Sequence, residues 1–294
     1  MPIAGISQGL GYGCATAATA SGSPAGGGGA GWVDEYSVVF DGTDSYVSTG
    51  EAFDTLWTGS FTISLWYKTP SAFPTSGGLY QPVMNFMGNA WVTSGGGKGN
   101  IEFRLQVISS TEARVEVYFS AAAGAVTTTL YGGLASSDYL AVDTWYHLCW
   151  TANRPASGTT LSKLYIDGTS VTLSTSVFLA LIANSGWTAS NNTQIGARNV
   201  VGGSPPAQFF LEGHLDELAF FNYALTAGNV ATIANAAASS GSKAIDLDEQ
   251  SFDKPEHWWR MGDGDTFPTI LDNVGSVDMT MNNMTAADIV SDVP

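Results

Sequence analysis

The stretch that decides the fold reads FFLEGHLDELAFFNY and runs from Phe209 to Tyr223, with Ala224-Leu225-Thr226 directly behind it. Its length and its density of aromatic and branched residues predict a long β-strand. The strand is expected to end at Asn222. Thr226 can cap a short helix that runs to about Ala237, because a threonine oxygen accepts the free backbone N–H groups of the first helical turn.

Two carboxylates, Asp216 and Glu217, lie inside this apolar run. An ionised carboxylate is costly to bury without a partner. At least one of these side chains must therefore meet a cation, a set of N–H donors, or water at a sheet edge. This strand is therefore the first candidate location of a functional site.

Working outward, short runs of alternating apolar and polar residues recur on both sides of this strand, and each predicts a strand with one face in the core. The stretch 145–150 is apolar on both faces and predicts a central strand. The predicted strands are Tyr36–Phe40, Asp44–Ser48, Phe61–Lys68, Gln81–Met87, Ile101–Val107, Arg114–Phe119, Trp145–Trp150, Leu161–Ile166, Thr169–Leu173 and Thr193–Gly196.

Turn residues connect several of these runs. Asp41-Gly42 and Asp167-Gly168 each separate two predicted strands and predict β-hairpins. A third hairpin is expected through 109–111, where Glu102 and Arg104 on one strand can pair with Arg114 and Glu116 on the other.

The composition agrees with an all-β protein. Of 294 residues, 44% are hydrophobic and 35 are glycine, while only 12% are charged, about half the usual share. Ten basic against 26 acidic residues give a net charge of −16. Nucleic-acid binding through phosphate neutralisation is therefore not expected.

Residues 1–31 form a segment of Gly, Ala, Ser and Thr without a charged side chain. We interpret this segment as an extended arm for self-assembly whose apolar anchors are Ile3, Ile6, Leu10 and Tyr12. It lacks the basic start and continuous apolar core of a secretory signal. No apolar run reaches the roughly 18 residues that a membrane span needs. Cys14 and Cys149 lie far apart, and no disulfide is expected between them.

Six segments resemble, in order, the laminin G-like (concanavalin A-like) jelly-roll family: FDG at 40–42, FTISLW at 61–66, WYH at 145–147, KLYIDG at 163–168, IG at 195–196, and 213–226. The resemblance implies an all-β, two-sheet antiparallel jelly-roll sandwich with one short late helix, over residues 32–240. It also implies a structural calcium ion (Ca²⁺) held by the carbonyl of Gly42 with Asp44 and Asp216.

The C-terminal segment, residues 241–294, contains HWWRMGD at 257–263 and DNVG at 272–275. In the same family a similar sequence usually precedes the first strand, so we interpret the arrangement as a circular rearrangement. The segment is expected to add edge strands to its own sandwich or to a neighbour's. The tail 287–294 is similar to the ends of structural proteins of marine tailed bacteriophages.

Catalysis is not expected. Glycosidases of this shape need carboxylates that face one cleft, and Glu212 and Asp216 share a face only if the strand between them is regular. Gly213 predicts a β-bulge there, and a bulge breaks that register. His147 lies in an apolar strand and is expected to be a core residue.

The sequence therefore predicts a non-enzymatic virion structural protein, a capsid decoration, fibre or appendage that binds itself and other virion proteins. The alternative is a carbohydrate-binding adhesion module. In that case Trp187, Asn191 and Asn192 would form the glycan platform, because an exposed aromatic ring beside amides is typical of sugar sites. Neither nucleic acid nor a membrane is an expected partner.

Overall fold

The computed structural model describes residues 32–51, 53, 59–75, 80–87, 100–120, 127–131, 136–154, 161–173, 193–199, 207–235 and 241–294. These residues form two antiparallel sheets that pack face to face, with one α-helix. The predicted jelly-roll sandwich is thereby confirmed. The arm at 1–31 lies outside the described residues.

The first sheet, sheet A, has the strand order β11-β10-β9-β3-β15-β1-β19, and β16 also pairs with β15. The long strand β15 lies near its centre, between β3 on one side and β1 with β16 on the other. The strands are β1 (Ser37–Asp41), β3 (Phe61–Lys68), β9 (Trp145–Asn153), β10 (Leu161–Ile166), β11 (Thr169–Val171), β15 (Glu212–Phe221), β16 (His257–Trp259) and β19 (Ile289–Val290).

The second sheet, sheet B, has the order β17-β18-β2-β12-β4-β5-β6-β7, and β8 pairs with β6. Its strands are β2 (Tyr46–Ser48), β4 (Tyr80–Met87), β5 (Asn100–Ser109), β6 (Glu112–Ser120), β7 (Thr127–Tyr131), β8 (Leu140–Ala141), β12 (Gln194–Ile195), β17 (Thr269–Ile270) and β18 (Met279–Asn282). A small hairpin joins β13 (Arg198–Asn199) to β14 (Ala207–Gln208).

The main core lies between the two sheets. The alternating residues of β3 that the sequence assigned to one face, Phe61, Ile63, Leu65 and Tyr67, are all buried there. The intervening residues of sheets A and B therefore point to the two outer faces of the sandwich. Both candidate sites described below lie on these outer faces.

A second apolar layer covers the outer face of sheet A. Helix α1 (Ala227–Asn235) and a segment that includes Ile245 and Leu247 pack there against Cys149 and Phe221. This layer explains why β9 is apolar on both faces. The Thr226 hydroxyl accepts the backbone N–H of Asn229 at 3.2 Å, which confirms the predicted helix cap.

The two Asp-Gly turns behave differently. Asp167-Gly168 joins β10 to β11 in a hairpin, as predicted. The hairpin predicted at Asp41-Gly42 is wrong, because β1 belongs to sheet A and β2 to sheet B. The Asp41 carboxylate accepts the backbone N–H groups of Thr43 and Ser45 at 2.8 and 3.2 Å, which shapes a turn that passes the chain from one sheet to the other.

The C-terminal segment contributes strands to both sheets of this sandwich. Strand β16 pairs with β15, β18 with β2 and β19 with β1. Beyond β19, the Asp292 carboxylate accepts hydrogen bonds from Lys68 Nζ at 2.8 Å and Trp145 Nε1 at 3.1 Å. The last residues are thus held against the outer face of sheet A.

Candidate functional site

The Asp216-Glu217 pair lies where β15 changes its partner on one edge. Strand β1 pairs with β15 as far as Leu215, and β16 begins to pair at Leu218. The register with β3 shifts between Asp216 and Ala219, and Glu217 has a φ of 49°. The bulge expected at Gly213 therefore falls at Glu217, and it opens a gap in the hydrogen-bond ladder at the acidic pair.

Three buried carboxylates meet at this gap. Oxygens of Asp34, Glu217 and Asp263 all lie within 4.8 Å of one another. Arg260 Nε donates to Glu217 Oε1 at 3.3 Å, and Arg260 Nη2 lies 3.4 Å from Asp263 Oδ2. Trp258 Nε1 also donates to Glu217. We call Asp34, Asp216, Glu217, Asp263 and Arg260 the acidic cluster.

Asp216 completes the acidic cluster from the same outer face. Its Oδ1 accepts the backbone N–H of Glu217 at 2.8 Å. Its Oδ2 is buried and has no hydrogen-bond partner among the described residues. Burial, and then the charge of Glu217, raise the pKa of Asp216 well above its ordinary value. Burial likewise raises the pKa of Glu217 to about 8 and that of Asp34 to about 7.

The sequence-predicted metal ligands lie in two places. Gly42 and Asp44 belong to the turn after β1, where Asp41 faces Glu212 across the ladder. Asp216 lies four residues further along β15, and a rise of roughly 3.3 Å per residue puts it about 13 Å away. The structure brings Asp216 to Asp34 and Asp263 and does not bring it to Gly42 and Asp44.

The outer face of sheet B carries a second buried cluster, which we call the arginine network. The cross-strand pairing predicted between β5 and β6 is present, since Arg104 faces Glu116 in the ladder. Arg104 donates to Glu116 through Nε and Nη2 at 3.1 Å, and through Nη1 to Glu102 at 3.1 Å. Arg114 Nε donates to Glu116 at 3.1 Å, and Arg198 Nη2 donates to Glu102 at 2.8 Å.

Aromatic rings flank the arginine network. The Arg104 guanidinium lies 4.3 Å from the ring centroid of Tyr80 and 4.1 Å from that of Tyr118. Arg198 lies 4.3 Å from the ring centroid of Phe209. Tyr80 and Phe209 are 36% and 40% exposed, whereas Glu102 and Glu116 are fully buried. The face thus presents two exposed rings, each backed by an arginine whose position is fixed by glutamate.

Several predicted residues cannot be placed. The proposed glycan residues Trp187, Asn191 and Asn192 lie outside the described residues, as do the assembly anchors Ile3, Ile6, Leu10 and Tyr12. His147 is fully buried, as expected, but on the outer face of sheet A rather than between the sheets, with Nε2 2.8 Å from Ser64 Oγ. In the part of the chain that the structure describes, none of the helices is both long and apolar enough for a membrane span.

Sequence reasoning missed Asp34, Arg260 and Asp263 as partners of the acidic pair. The only indication in the sequence was the pair Asp216-Glu217 itself, because two carboxylates in an apolar strand require a cation or N–H donors. The sequence distance of 229 positions between Asp34 and Asp263 gave no indication that they meet. Tyr80 and Phe209 were also missed, because their role depends on arginines of other strands.

The chain belongs to the concanavalin A-like lectin/glucanases superfamily, whose laminin G-type profile matches residues 41–231. This is more than half of the sequence, and it agrees with the resemblance seen in the six ordered segments. Asp34, Arg260 and Asp263 fall outside the matched range. No curated protein sequence matches the chain.

Solved structures share the fold at low sequence identity. A Bacteroides ovatus protein to which carbohydrate binding has been attributed superposes with a TM-score of 0.51 at 15% identity, covering 87% of this chain and 61% of its own. The chain therefore spans less than two thirds of that protein. The heptameric SAP-like pentraxin of Limulus polyphemus gives a TM-score of 0.45 at 15% identity, covering 75% of this chain and 91% of its own.

Tailspike protein 2 of bacteriophage CBA120 is also similar, with a TM-score of 0.45 at 14% identity, covering 66% of this chain and 26% of the tailspike. Of these three, only the superposition on the Bacteroides ovatus protein exceeds a TM-score of 0.5, and at 15% identity it supports a shared fold and no shared activity.

Proposed function

We propose that the chain is a non-enzymatic carbohydrate-binding module, and that the outer face of sheet B binds the glycan. The observation that carries the proposal is the pair of exposed rings, Tyr80 and Phe209, each stacked on a guanidinium of the arginine network. Sugar rings pack their C–H faces on aromatic side chains while polar groups nearby take up the hydroxyls.

The ring positions are fixed before any ligand arrives. Arg104 is held between Tyr80 and Tyr118 by bonds to two glutamates. A fixed platform loses little side-chain entropy on binding, which favours a useful affinity from a small contact area. Gln106, whose Nε2 lies 3.4 Å from the Tyr80 hydroxyl, places an amide next to the ring.

The same geometry argues against hydrolysis. A glycosidase needs two carboxyl groups that reach the substrate, one as an acid and one as a base or nucleophile. Glu102 and Glu116 are both buried and both bonded to arginine side chains. Their carboxylates serve to position the arginines beneath the rings.

A glycan array with the purified chain tests this proposal. We expect binding to a restricted set of glycans, reduced about tenfold or more by Tyr80→Ala, since tenfold corresponds to about 1.4 kcal/mol. Trp187→Ala tests the sequence-predicted platform in the same assay. Tyr36→Ala is the matched control, because Tyr36 is 40% exposed and lies directly before β1 of sheet A, away from sheet B. An array without binding, or equal losses for Tyr80→Ala and Tyr36→Ala, would overturn the proposal.

A second candidate is a virion structural protein, a decoration, fibre or appendage that assembles with copies of itself and with other virion proteins. The uncharged segment 1–31, with its spaced apolar anchors, favours this role. Deletion of residues 1–31 should convert an oligomer into a folded monomer in light scattering. An unchanged mass would count against assembly through the arm.

A structural calcium ion is part of either proposal. The family resemblance predicts the carbonyl of Gly42, Asp44 and Asp216 as ligands, but Asp216 lies about 13 Å from the turn that holds the other two, so the three residues do not share one ion. Asp44→Asn tests whether an ion binds at that turn, because Asp44 is exposed and its backbone carbonyl, which accepts from Asn283, is unaffected by the change.

A further inference from the structure

We infer that residues 285–294, which we call the strap, are exchangeable between copies of the chain, so that the strap of one copy docks on the β1 edge of sheet A of another. The docking site consists of that edge and a carboxylate latch, in which Lys68 and Trp145 hold Asp292. The exchange depends neither on glycan binding nor on the arm at 1–31.

The strap meets the sandwich through extended backbone. Its strand β19 is the outermost strand of sheet A and pairs with β1 at two positions, Ser37 with Val290 and Val38 with Ile289. Main-chain pairing at a sheet edge accepts any extended segment, so it gives affinity without selecting the source of the strand. Ile289 and Val290 are only half-buried, so little apolar surface has to be exposed when this ladder opens.

Asp292 gives the docking site its chemical selectivity. Lys68 Nζ donates to Oδ2 at 2.8 Å and Trp145 Nε1 donates to Oδ1 at 3.1 Å, so each carboxylate oxygen has its own donor. The Ser37 hydroxyl donates to the backbone carbonyl of Asp292, and His214 Nδ1 lies 4.0 Å from Oδ2. The site thus recognises an extended segment that carries a carboxylate two residues after its edge strand.

The latch lies where a second copy can reach it. The side chains of Lys68 and Asp292 are 20% and 38% exposed, and a cleft of about 380 Å³ lined in part by Lys68, Asp143 and His214 opens beside them. Lys68 Nζ also lies 3.3 Å from Asp143 Oδ1, so the ammonium group keeps a partner when Asp292 leaves. An ion pair so open to solvent breaks more readily than the buried pairs of the arginine network.

A compact turn before the strap directs it back onto its own sheet. Asn283 has a φ of 54°, and the side chains of Thr285 and Asp288 close a capping box around Ala286–Asp288. A return of Asn283 to negative φ redirects the strap, while the capping box stays intact because its bonds are local. Every strap contact is then remade on the second copy, so the closed and exchanged forms differ mainly in this turn and in their dependence on protein concentration.

The strap of a second copy is the occupant that the chain itself supplies. It combines Ile289-Val290 for the edge with Asp292 two residues later, which is the pattern that the docking site holds. With a net charge of −16, copies of the chain repel one another in general. The contact between copies therefore depends on the specific pair of Lys68 with Asp292.

A disulfide trap on the full chain tests the exchange. Ser37 and Val290 face each other in the antiparallel ladder, where opposed Cα atoms lie about 4.5–5.5 Å apart, a distance that a disulfide spans. Chains with Ser37→Cys are mixed with chains with Val290→Cys, both in a Cys14→Ser background, and Cys149 is fully buried. After oxidation we expect covalent dimers joined between positions 37 and 290, mapped by peptide mass spectrometry and increasing with protein concentration.

Asp292→Asn in the Val290→Cys chain tests the latch, and Asp253→Asn is the matched control because Asp253 is exposed and lies outside the strap. The latch must open before the strap can exchange, so Asp292→Asn should speed dimer formation about threefold or more and Asp253→Asn should leave the rate unchanged. The exchange is overturned if no 37–290 dimer forms while both cysteines placed in one chain oxidise within that chain. Equal rates for the two aspartate variants overturn the latch.

Light scattering of the chain without added cysteines replaces the trap if the cysteine variants fail to fold or to oxidise. We expect an oligomer at high concentration that returns slowly to monomer on dilution, about threefold faster or more with Asp292→Asn and at the wild-type rate with Asp253→Asn. A monomer at every concentration, or an oligomer whose dissociation responds equally to both substitutions, overturns the inference.

Discussion

Each sheet carries a buried charged cluster on its outer face, and the two clusters have opposite balance. The arginine network on sheet B combines Glu102 and Glu116 with three of the chain's ten basic residues. The acidic cluster on sheet A combines four carboxylates with Arg260 alone. One cluster is closed by its own ion pairs, and the other is short of positive charge.

The two clusters differ because an arginine side chain and a carboxyl group respond differently to an unpaired charge. Arginine cannot lose its proton in a protein, so the network needs its glutamates in place. A carboxyl group can take up a proton or a metal ion, so a surplus of acid can be relieved from solution. The arginine network is therefore a fixed arrangement of charges, whereas the acidic cluster can change its charge by taking up protons.

The largest expected effect comes from breaking the arginine network. Glu116→Gln removes the carboxylate that pairs with Arg104 and Arg114 and leaves two largely buried guanidinium groups without it. We expect a loss of about 3–5 kcal/mol in the free energy of unfolding, the usual cost of removing one partner of a buried pair. Urea denaturation measures it. A loss under about 1 kcal/mol would show that the network does not depend on this glutamate.

The next largest effect is expected at His147, a buried ionisable residue with no charged partner among the described residues. Burial lowers the pKa of His147 to about 3, against an ordinary 6.5. The folded state then binds fewer protons than the unfolded state below pH 6.5. Stability from this group is complete well above pH 6.5 and falls as the pH falls, by about 3 kcal/mol at pH 4.5.

Urea midpoints between pH 7 and 4.5 measure this slope, and His147→Gln supplies the control because glutamine does not ionise. We expect the variant to have a flatter profile than the wild type over this range. Parallel profiles would show that His147 is not the group responsible.

Removal of one carboxyl group from the acidic cluster should change the free energy of unfolding less. Glu217→Gln removes one of four crowded carboxylates and keeps the side chain's shape, while Arg260 retains Asp263. At neutral pH we expect the free energy of unfolding to change by less than about 1 kcal/mol, because burial raises the pKa of Glu217 to about 8 and the amide therefore replaces a largely protonated carboxyl group. A loss as large as that of Glu116→Gln would mean that the two clusters are equivalent.

An exposed ion pair should give the smallest change in the free energy of unfolding among the four substitutions. Lys254 Nζ lies 3.2 Å from Asp248 Oδ1, and the lysine side chain is 58% exposed. Lys254→Met should change the free energy of unfolding by less than about 0.5 kcal/mol, since solvent screens such pairs. A larger effect in thermal unfolding would invalidate the ranking by burial that the other three experiments use.

Much of the fold could be read from the sequence, because strand alternation and apolar length are local properties. The alternation in β3, the two-sided apolar run of β9, the cap at Thr226 and the cross-strand pair of Arg104 with Glu116 are all present as predicted. The Asp41-Gly42 hairpin failed, since the same turn chemistry serves a hairpin and a crossing between sheets. Only the positions of the sheets distinguish the two.

The sequence by itself determined that Asp216 and Glu217 would be buried in a central strand and would need partners, because a carboxylate inside an apolar run carries a desolvation cost wherever it lies. Only the tertiary structure decided which partners they meet. Asp34 and Asp263 come from opposite ends of the described chain, and β1 and β16 bring them to one gap in the ladder of β15. Charge is a property of residues, whereas the balance of charge at a site depends on which segments the fold brings together.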